Sequence, residues 1–268
     1  MLLAIDIGNT HTVVGIFDKK ELMAHWRLSS TLTRTEDEFW LIVKLLCGQI
    51  KFPAEKLDGV VISSVVPNLT NIFERLAEKY IKVKPVVVSS DVKLDIKIKY
   101  DDPKAVGADR ICNAVAAYKK YGGPAIVIDF GTATTFDIIS KRGDYLGGVI
   151  SPGIETAGGE LHRRAARLPK IELHFPKNII GKNTVESMQS GIMFGALDAM
   201  EGMIKRIKKI TGEKTKVIST GGYSKMICKQ SKLVNGCEPW LVLEGARLIF
   251  EMNKKKAERK DFSYLRYS

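Results

Sequence analysis

A short pattern of residues occurs twice in the sequence, and this recurrence limits the fold more than any other feature. Ala4-Ile-Asp-Ile-Gly-Asn-Thr10 aligns with Val127-Ile-Asp-Phe-Gly-Thr-Ala133, at a constant offset of 123 residues. In both copies an apolar run ends in an aspartate and a glycine, and a second apolar run follows, which predicts two strands joined by a tight turn. An offset of this size is that of a domain, not of a solenoid repeat. We interpret it as an internal duplication that gives two similar domains, residues 1–118 and 119–268.

The remaining sequence alternates short apolar runs with segments of helical periodicity, which is typical of an α/β protein. Strands are predicted at residues 2–7, 12–17, 21–28, 59–62, 85–88, 125–130, 134–139 and 215–219, and the strict apolar–polar alternation of residues 94–100 indicates another. Helices are predicted at residues 35–50, 67–80, 111–120, 154–167, 184–210 and 240–253. Tyr121-Gly-Gly-Pro124 breaks this pattern and places the domain boundary near residues 115–123.

Charge and hydropathy narrow the class of protein and of partner. The mean hydropathy of −0.04 is that of a folded, water-soluble chain. With 42 basic and 30 acidic residues, the net charge is +12, and such a surface attracts phosphorylated ligands, nucleic acid or anionic lipid. No apolar run reaches the length of about 18 residues that a membrane span needs, and the first residues lack the features of a signal peptide. We therefore expect a cytoplasmic protein with no membrane partner.

The spacing of cysteine, histidine and basic residues gives no sign of a zinc site, a redox pair or a nucleic-acid module. The histidines lack metal-ligand spacing, which favours structural roles. The basic runs of residues 205–209 and 254–260 lack interleaved aromatic or glycine motifs, so we interpret them as solvated helix faces and expect no nucleic-acid partner. Reduced thiols are predicted for the four cysteines, which have no CxxC spacing: Cys47, Cys112, Cys228 and Cys237.

The two strand–turn–strand segments carry the residues best suited to bind phosphate. Each has a carboxylate at a strand end, Asp6 or Asp129, and then a glycine whose missing Cβ lets backbone N–H groups approach phosphate oxygens. A single copy is better explained as a plain β-hairpin, because Gly-Asn between strands is a common hairpin signal. Two copies favour a nucleotide held between two similar domains, with the acids available for a cation. The strands are followed by neither GxxxxGK[ST] nor GxGxxG, which excludes P-loop and Rossmann sites.

Two further segments contain glycines next to residues that could act on a ligand. In Gly107-Ala-Asp-Arg110 an acid and an arginine stand together at a predicted helix start, which places a base beside an anion-binding fork. The alternative is that Asp109 only caps the helix and Arg110 pairs on the surface. In Gly147-Gly-Val-Ile-Ser-Pro-Gly153 the glycines allow close backbone approach to a ligand, and a packing turn explains them equally well.

Taken together, these motifs resemble those of the type III pantothenate kinases, members of the acetate and sugar kinase, heat-shock chaperone and actin superfamily. The resemblance runs nearly end to end, and the chain has no room for the insertions of the larger actins and chaperones. It rests on residues 6–10, Tyr100 with Pro103, residues 107–110, 129–137 and 147–153, Asn183-Thr184 with Gly191 and Gly195, and residues 220–222.

The resemblance implies two ribonuclease H-like domains with ATP in the cleft between them, and a homodimer with the substrate pocket near the subunit interface. The implied reaction is phosphorylation of pantothenate to 4'-phosphopantothenate, the first step of coenzyme A biosynthesis. Asp109 is implied as general base, and Asp129 as the ligand of a monovalent cation, K⁺ or NH₄⁺. From the chemistry of phosphoryl transfer we expect Asp6 to act through Mg²⁺ and the phosphates. The residues implied to hold ATP are Asp6, Ile7, Gly8, Asn9, Thr10, His11, Thr12, Val13 and Thr132. Those implied to hold pantothenate are Tyr100, Gly107, Ala108, Asp109, Arg110 and Thr184.

Three other functions stay open at the level of sequence. A nucleotide-binding transcriptional accessory protein of the same fold would bind ATP without pantothenate turnover. A nucleic-acid binder would use the basic charge and show salt-sensitive retention on DNA or RNA. A kinase of another small alcohol would share every phosphate-binding feature and differ only around Tyr100, Arg110 and Thr184.

Overall fold

The computed structural model describes residues 1–254, which form two five-stranded sheets with helices packed on them. The strands are β1 (Leu2–Ile7), β2 (His11–Asp18), β3 (Glu21–Ser29), β4 (Gly59–Ser64), β5 (Val86–Val87), β6 (Ala125–Phe130), β7 (Ala133–Ile139), β8 (Tyr145–Pro152), β9 (Lys216–Gly221) and β10 (Gly236–Cys237). The helices are α1 (Glu36–Gln49), α2 (Pro67–Leu76), α3 (Ala108–Tyr121), α4 (Ile154–Arg164), α5 (Thr184–Thr211), α6 (Ser224–Cys228) and α7 (Leu241–Asn253). Short 3₁₀ turns at Ala54–Lys56 and Pro103–Ala105 and a π turn at Ala77–Ile81 complete the described elements.

The two sheets have the same strand order and the same strand directions. In the first the order is β3-β2-β1-β4-β5, and in the second it is β8-β7-β6-β9-β10. The first three strands of each set are antiparallel neighbours, whereas β4 and β9 run parallel to β1 and β6. Asp6 and Asp129 occupy the same place, one residue before the end of the central strand. The expected α/β class with two similar halves is confirmed, while their origin by duplication stays a prediction.

Local sequence signals explain where the helices over the first sheet begin. The Thr35 hydroxyl accepts from the Glu38 N–H at 3.4 Å, and the Glu38 carboxylate accepts from the Thr35 N–H at 2.8 Å, which forms a capping box at α1. Pro67 stands at the first turn of α2, where its missing N–H costs nothing. The two helices bury Phe39 against Phe73, with ring centroids 4.6 Å apart, over the apolar face of β1. This packing forms the first core.

The core of the second sheet is built on β6 and the long helix α5. Ile126, Ile128 and Phe130 of the strand are buried with Met193 and Ile204 of the helix. Asn183 caps α5, since its side-chain oxygen accepts from the Glu186 N–H at 2.9 Å. The basic residues 205, 206 and 209 lie exposed on α5, so the predicted solvated face is confirmed there, while residues 255–260 of the second basic run lie outside the described residues.

Contacts between residues group the chain into two compact units. The first unit contains Met1–Asp95, Asp101–Ala116 and the described residues from Val242 onward, and the second contains Ile96–Tyr100 and Ala117–Leu241. This grouping is close to the predicted domains 1–118 and 119–268 but assigns α7 to the first unit. Packing gives the reason: a Cβ on Gly59 would lie 2.4 Å from the Phe250 ring, so α7 covers the first sheet closely.

Residues 94–100 do not form the predicted strand. Bends occur at residues 95, 96 and 100, and among the described residues the segment makes one isolated bridge, between Ile98 and Tyr145. Hydrogen bonds from the Lys99 N–H to the Tyr145 carbonyl and from the Tyr145 N–H to the Lys97 carbonyl flank this bridge. The alternation of polar and apolar residues therefore reflects alternating burial along residues 94–99 without a ladder. Among the described residues, no helix combines the length and apolarity needed to cross a bilayer.

Candidate active site

Asp6 lies at the carboxyl edge of the first sheet, where a parallel neighbour supplies its partner. Because β1 and β4 are parallel and in register at this point, Asp6 stands beside Ser63. The Ser63 hydroxyl donates to Asp6 Oδ1 at 3.0 Å. This bond fixes the orientation of the carboxylate at the strand end.

The turn after Asp6 is closed by its own backbone and held from β3. The Gly8 N–H donates to the His11 carbonyl at 3.0 Å, and the Ser30 hydroxyl donates to the Gly8 carbonyl at 2.6 Å. Asn9 and Thr10 are exposed at the tip of this turn. The hairpin therefore presents a short, well-supported polar tip.

The predicted ATP-binding stretch of residues 6–13 divides into exposed and buried side chains. Ile7 and Thr12 are buried, and Thr12 is hydrogen-bonded to Ser30 at 3.0 Å between hydroxyl oxygens. Ile7 therefore packs in the core, and Thr12 helps to hold the turn through Ser30. The side chains open to a ligand are those at the tip and the partly exposed Asp6, His11 and Val13.

Asp109 begins α3 together with the residues that the sequence placed around it. Its Oδ1 accepts from the Arg110 N–H at 2.8 Å, and both Ala108 and Arg110 are buried. Gly107 leaves the Asp109 carboxylate its place, because a Cβ at that position would lie 2.5 Å from Asp109 Oδ1. Burial raises the pKa of the Asp109 carboxyl, and the backbone N–H and charge of Arg110 oppose that rise.

Cys112 connects Asp6 and Asp109 electrostatically. Burial is the main cause that raises the pKa of the Cys112 thiol well above its ordinary value, and the negative charges of Asp6 and Asp109 add to it. The neighbouring Ser63 hydroxyl acts in the opposite direction and lowers the pKa of the thiol. Both carboxylates thus act on one fully buried thiol. We call Asp6, Ser63, Asp109 and Cys112 the acid cluster.

Asp129 has a comparable place in the second unit, where glycines make room for it. Gly221 has φ +87°, and a Cβ there would approach Asp129 Oδ1 to 2.4 Å and the Phe130 backbone to 2.7 Å. The Gly131 N–H donates to the Ala133 carbonyl at 3.1 Å, which closes the turn as Gly8 does in the first unit. Thr132 is exposed at this turn.

Gly153 shows what the glycines of the segment 147–153 do in the fold. A Cβ at Gly153 would lie 2.4 Å from the carbonyl oxygens of Gly131 and Thr132. The Thr156 hydroxyl also donates to the Thr132 carbonyl at 2.6 Å. The start of α4 therefore packs directly under the Thr132 turn, so for Gly153 the packing interpretation accounts for the glycine.

Tyr100 and Thr184, the other predicted acceptor residues, lie in the second unit. Tyr100 is 40% exposed, and its ring lies 6.4 Å from that of Tyr145 between centroids. Thr184 is exposed at the first turn of α5. The next turns of α5 and the facing side of α4 line a cavity of about 630 Å³, with Leu161 and Met188 among its walls. No sequence motif predicts this cavity, because it depends on how the two helices pack.

The oxygen atoms available in the site suit a hard cation that is bound partly by protein carboxylates and partly by substrate phosphates. Among residues 1–254, no group of three or more His, Cys, Asp or Glu side chains could hold a metal ion by itself. Mg²⁺ is usually bound by one or two carboxylates together with substrate phosphates, and the acid cluster supplies carboxylates of that kind. Asp129, surrounded by backbone at Gly221 and Gly131, offers oxygen donors only.

Two mixed sheets of identical order, each with an acid near the end of its central strand and a glycine directly after that strand, define the fold of the actin-like ATPases and sugar kinases. A conserved candidate Baf family transcriptional activator from Campylobacter jejuni shares it, at 19% identity and TM-score 0.60, over 94% of this chain and 99% of that one. An activator of 2-hydroxyisocaproyl-CoA dehydratase from Clostridium difficile, solved with bound ADPNP, matches at 13% identity and TM-score 0.57, over 95% and 96%. A candidate N-acetylmannosamine kinase from Listeria monocytogenes matches at 12% and 0.53, over 94% and 99%.

At these identities the solved structures establish the fold alone, and the family follows from the sequence. The profile of the type III pantothenate kinases matches residues 2–206, which include the acid cluster, the Asp129 turn and Thr184. The chain belongs to the type III pantothenate kinase family, a family of ATP-dependent kinases whose fold implies Mg²⁺ with ATP.

Proposed function

We propose that this protein transfers the γ-phosphoryl group of ATP to the primary alcohol of pantothenate, giving 4'-phosphopantothenate and ADP. The observation that carries the proposal is the match to the family over residues 2–206, within which Asp6 is oriented by Ser63 at a strand end and Asp109 stands at the start of α3. Phosphoryl transfer needs one group to orient the alcohol and others to neutralise the phosphates. Membership of the family supplies the substrate class.

Asp109 is assigned as the general base. Its Oδ1 is engaged by the Arg110 N–H, so we assign Oδ2 to the proton of the alcohol. The proton moves to the carboxylate as the new P–O bond forms, because an alcohol is only weakly acidic before that point. Burial raises the pKa of Asp109, which makes the carboxylate a stronger base than an exposed aspartate.

Asp6 and Asp129 are assigned to cations. Asp6, oriented by Ser63, would hold Mg²⁺ together with ATP phosphates, and a bound Mg²⁺ neutralises the charge that develops during transfer. Asp129 would hold the monovalent cation, K⁺ or NH₄⁺. The N–H groups and exposed polar side chains of the Gly8 turn, and Thr132 of the Gly131 turn, would contact ATP.

Pantothenate is assigned to Tyr100, Thr184 and residues 107–110. The Arg110 guanidinium suits the carboxylate of pantothenate, since arginine binds carboxylates through paired N–H donors. Thr184 stands at the start of the helix whose next turns line the 630 Å³ cavity. We also propose a homodimer in the cytoplasm, as the family resemblance implies.

Release of ADP by the purified protein tests the proposal. ATP and Mg²⁺ are supplied with or without pantothenate, in potassium or sodium buffer, and the acceptor product is identified by mass. We expect ADP release that requires pantothenate and is faster with potassium. Turnover that occurs only with another small alcohol from a panel would contradict the acceptor assignment. ATP binding without turnover of any alcohol would favour a regulatory protein, a role for which the Campylobacter jejuni protein is named.

A further inference from the structure

Two cysteines that are nine positions apart in sequence meet at the edge of the second sheet. Cys228 ends α6, and Cys237 ends the edge strand β10. Cys237 is in parallel register with Ser219 of β9, and residues in register on neighbouring strands direct their side chains to the same face. The Ser219 hydroxyl lies 2.9 Å from Cys228 Sγ. Both thiols therefore flank one serine.

This pair differs from the other two cysteines in exposure. Cys228 and Cys237 are partly exposed, whereas Cys47 and Cys112 are buried, and all four are free thiols in this structure. A small dissolved oxidant therefore reaches the pair but not the other two. Two thiols held beside the same serine need little backbone movement to meet, and such movement is the main geometric requirement for a disulfide.

We propose that Cys228 and Cys237 form a reversible intrachain disulfide by exchange with a small disulfide such as oxidised glutathione. The Cys237 thiolate attacks one sulfur of the small disulfide, which forms a mixed disulfide and releases one thiolate. The Cys228 thiolate then attacks Cys237 Sγ, which closes the intrachain bond and releases the second thiolate. The two cysteine protons pass to the released thiolates, so the protein loses two electrons and two protons that the small disulfide gains.

The order of the two steps follows from the surroundings of Cys228. Burial is the main cause that raises the pKa of this thiol to about 11, and contact with Cys237 adds to the rise. A thiol with a raised pKa reacts slowly with a dissolved partner, because only the thiolate attacks. Attack on the neighbouring Cys237 is intramolecular and is favoured by proximity. Cys237 is therefore the first to react, and Cys228 resolves the mixed disulfide.

The bond would restrain the segment next to Asp129. Ser224 at the start of α6 donates through its hydroxyl to the Gly221 carbonyl at 2.7 Å, and Gly221 lies against Asp129. A disulfide at the other end of α6 ties this short helix to β10 as well. The modification thus fixes both ends of α6 on the edge of the second sheet.

Peptide mapping of the full-length protein tests the proposal without any measurement of activity. The protein is incubated with oxidised or reduced glutathione, alkylated, and digested with trypsin without reductant. Trypsin cuts after Lys225, Lys229 and Lys232, so the two cysteines fall in separate peptides. We expect a linked pair of peptides only in the oxidised sample, an intact protein about 2 Da lighter, and reversal by dithiothreitol.

Matched variants separate this bond from other oxidation products. Cys228→Ser and Cys237→Ser should each abolish the linked pair, and Cys237→Ser should also abolish the mixed disulfide. Cys47→Ala, which changes a buried thiol elsewhere, should leave the linked pair intact. If oxidised wild-type protein carries only glutathione adducts, or keeps both thiols free, the proposal is wrong.

Discussion

Burial raises the pKa of the Asp109 carboxyl group, and the hydrogen bond from the Arg110 N–H lowers it. The assigned role as a base depends on the balance of these two effects. Asp109→Asn keeps the shape and the acceptor oxygen but removes the base. A general base contributes about 10²–10⁴-fold, so we expect kcat to fall by that factor while ATP binding is kept. Steady-state kinetics and nucleotide titration measure the two effects. The exposed Asp18→Asn is the control, and wild-type kcat in Asp109→Asn would remove the residue from the mechanism.

The raised pKa of Asp109 predicts a pH profile. A base works only when deprotonated, so kcat/KM should fall on acidification through the pKa of this group. Because burial raises that pKa, the fall should be centred above the value of about 3.9 of an exposed aspartate. Initial rates from pH 4 to 8, with circular dichroism at each pH to confirm folding, provide the measurement. An acid limb that persists unchanged in the residual activity of Asp109→Asn would assign the titration to another group.

Gly107 offers a way to move the carboxylate of Asp109 without changing its chemistry. A Cβ in Gly107→Ala would lie 2.5 Å from Asp109 Oδ1, and the end of that side chain can rotate away at little cost to the fold. A carboxylate displaced by about 1 Å is expected to lower kcat by about 10²-fold, because the reacting groups lose alignment. The thermal midpoint should change little. Unchanged kcat would mean that the position of this oxygen does not limit the reaction.

The individual site residues were accessible to sequence reasoning, but their grouping was not. Asp6 lies at a strand end before a turn, and Asp109 lies at a helix start. Both kinds of local motif can be predicted from sequence. That both act on Cys112 depends on the packing of β1, β4 and α3, which join residues about a hundred positions apart. Cys228 and Cys237 have no sequence signature for the same reason, since only the register of β10 with β9 brings them together.

At the scale of elements, the close packing of α7 on α3 gives a direct stability test. A Cβ in Gly245→Ala would approach the Cys112 carbonyl oxygen to 2.0 Å, and a backbone atom cannot rotate away. Overpacking of this kind typically costs about 1–3 kcal/mol, so the thermal midpoint should drop by several degrees. Differential scanning calorimetry measures it. An undiminished midpoint would mean that α7 shifts freely on α3.

Gly48→Ala in α1 is the matched control for Gly245→Ala. A Cβ at Gly48 meets nothing within 4 Å, and alanine favours the helix over glycine by about 1 kcal/mol. The same substitution should therefore raise the midpoint slightly in α1 and lower it in α7. The difference between the two midpoint shifts separates the effect of packing from that of helix propensity.

The elements that the sequence predicted well are those with local signals at their ends. The capping box of Thr35 and Glu38 and the proline at the start of α2 mark helix starts directly. Residues 94–100 show the limit of such reasoning. Their alternation is real, yet a strand also needs a neighbour along its length, and among the described residues this segment makes one isolated bridge, to Tyr145. Pairing of that kind depends on where distant parts of the chain lie.

At the scale of the molecule, the net charge of +12 has a kinetic consequence if both substrates are anionic, as proposed. Long-range attraction raises the rate of encounter with ATP and pantothenate, and added salt screens it, with a Debye length of about 10 Å at 0.1 M ionic strength. We expect kcat/KM to fall as ionic strength rises, while kcat at saturation stays constant. Tetramethylammonium chloride is added at fixed potassium concentration, so that the proposed cation site at Asp129 is not affected. A flat kcat/KM would show that the charge has no part in substrate capture, whereas a parallel fall in kcat would indicate that salt acts on the chemical step.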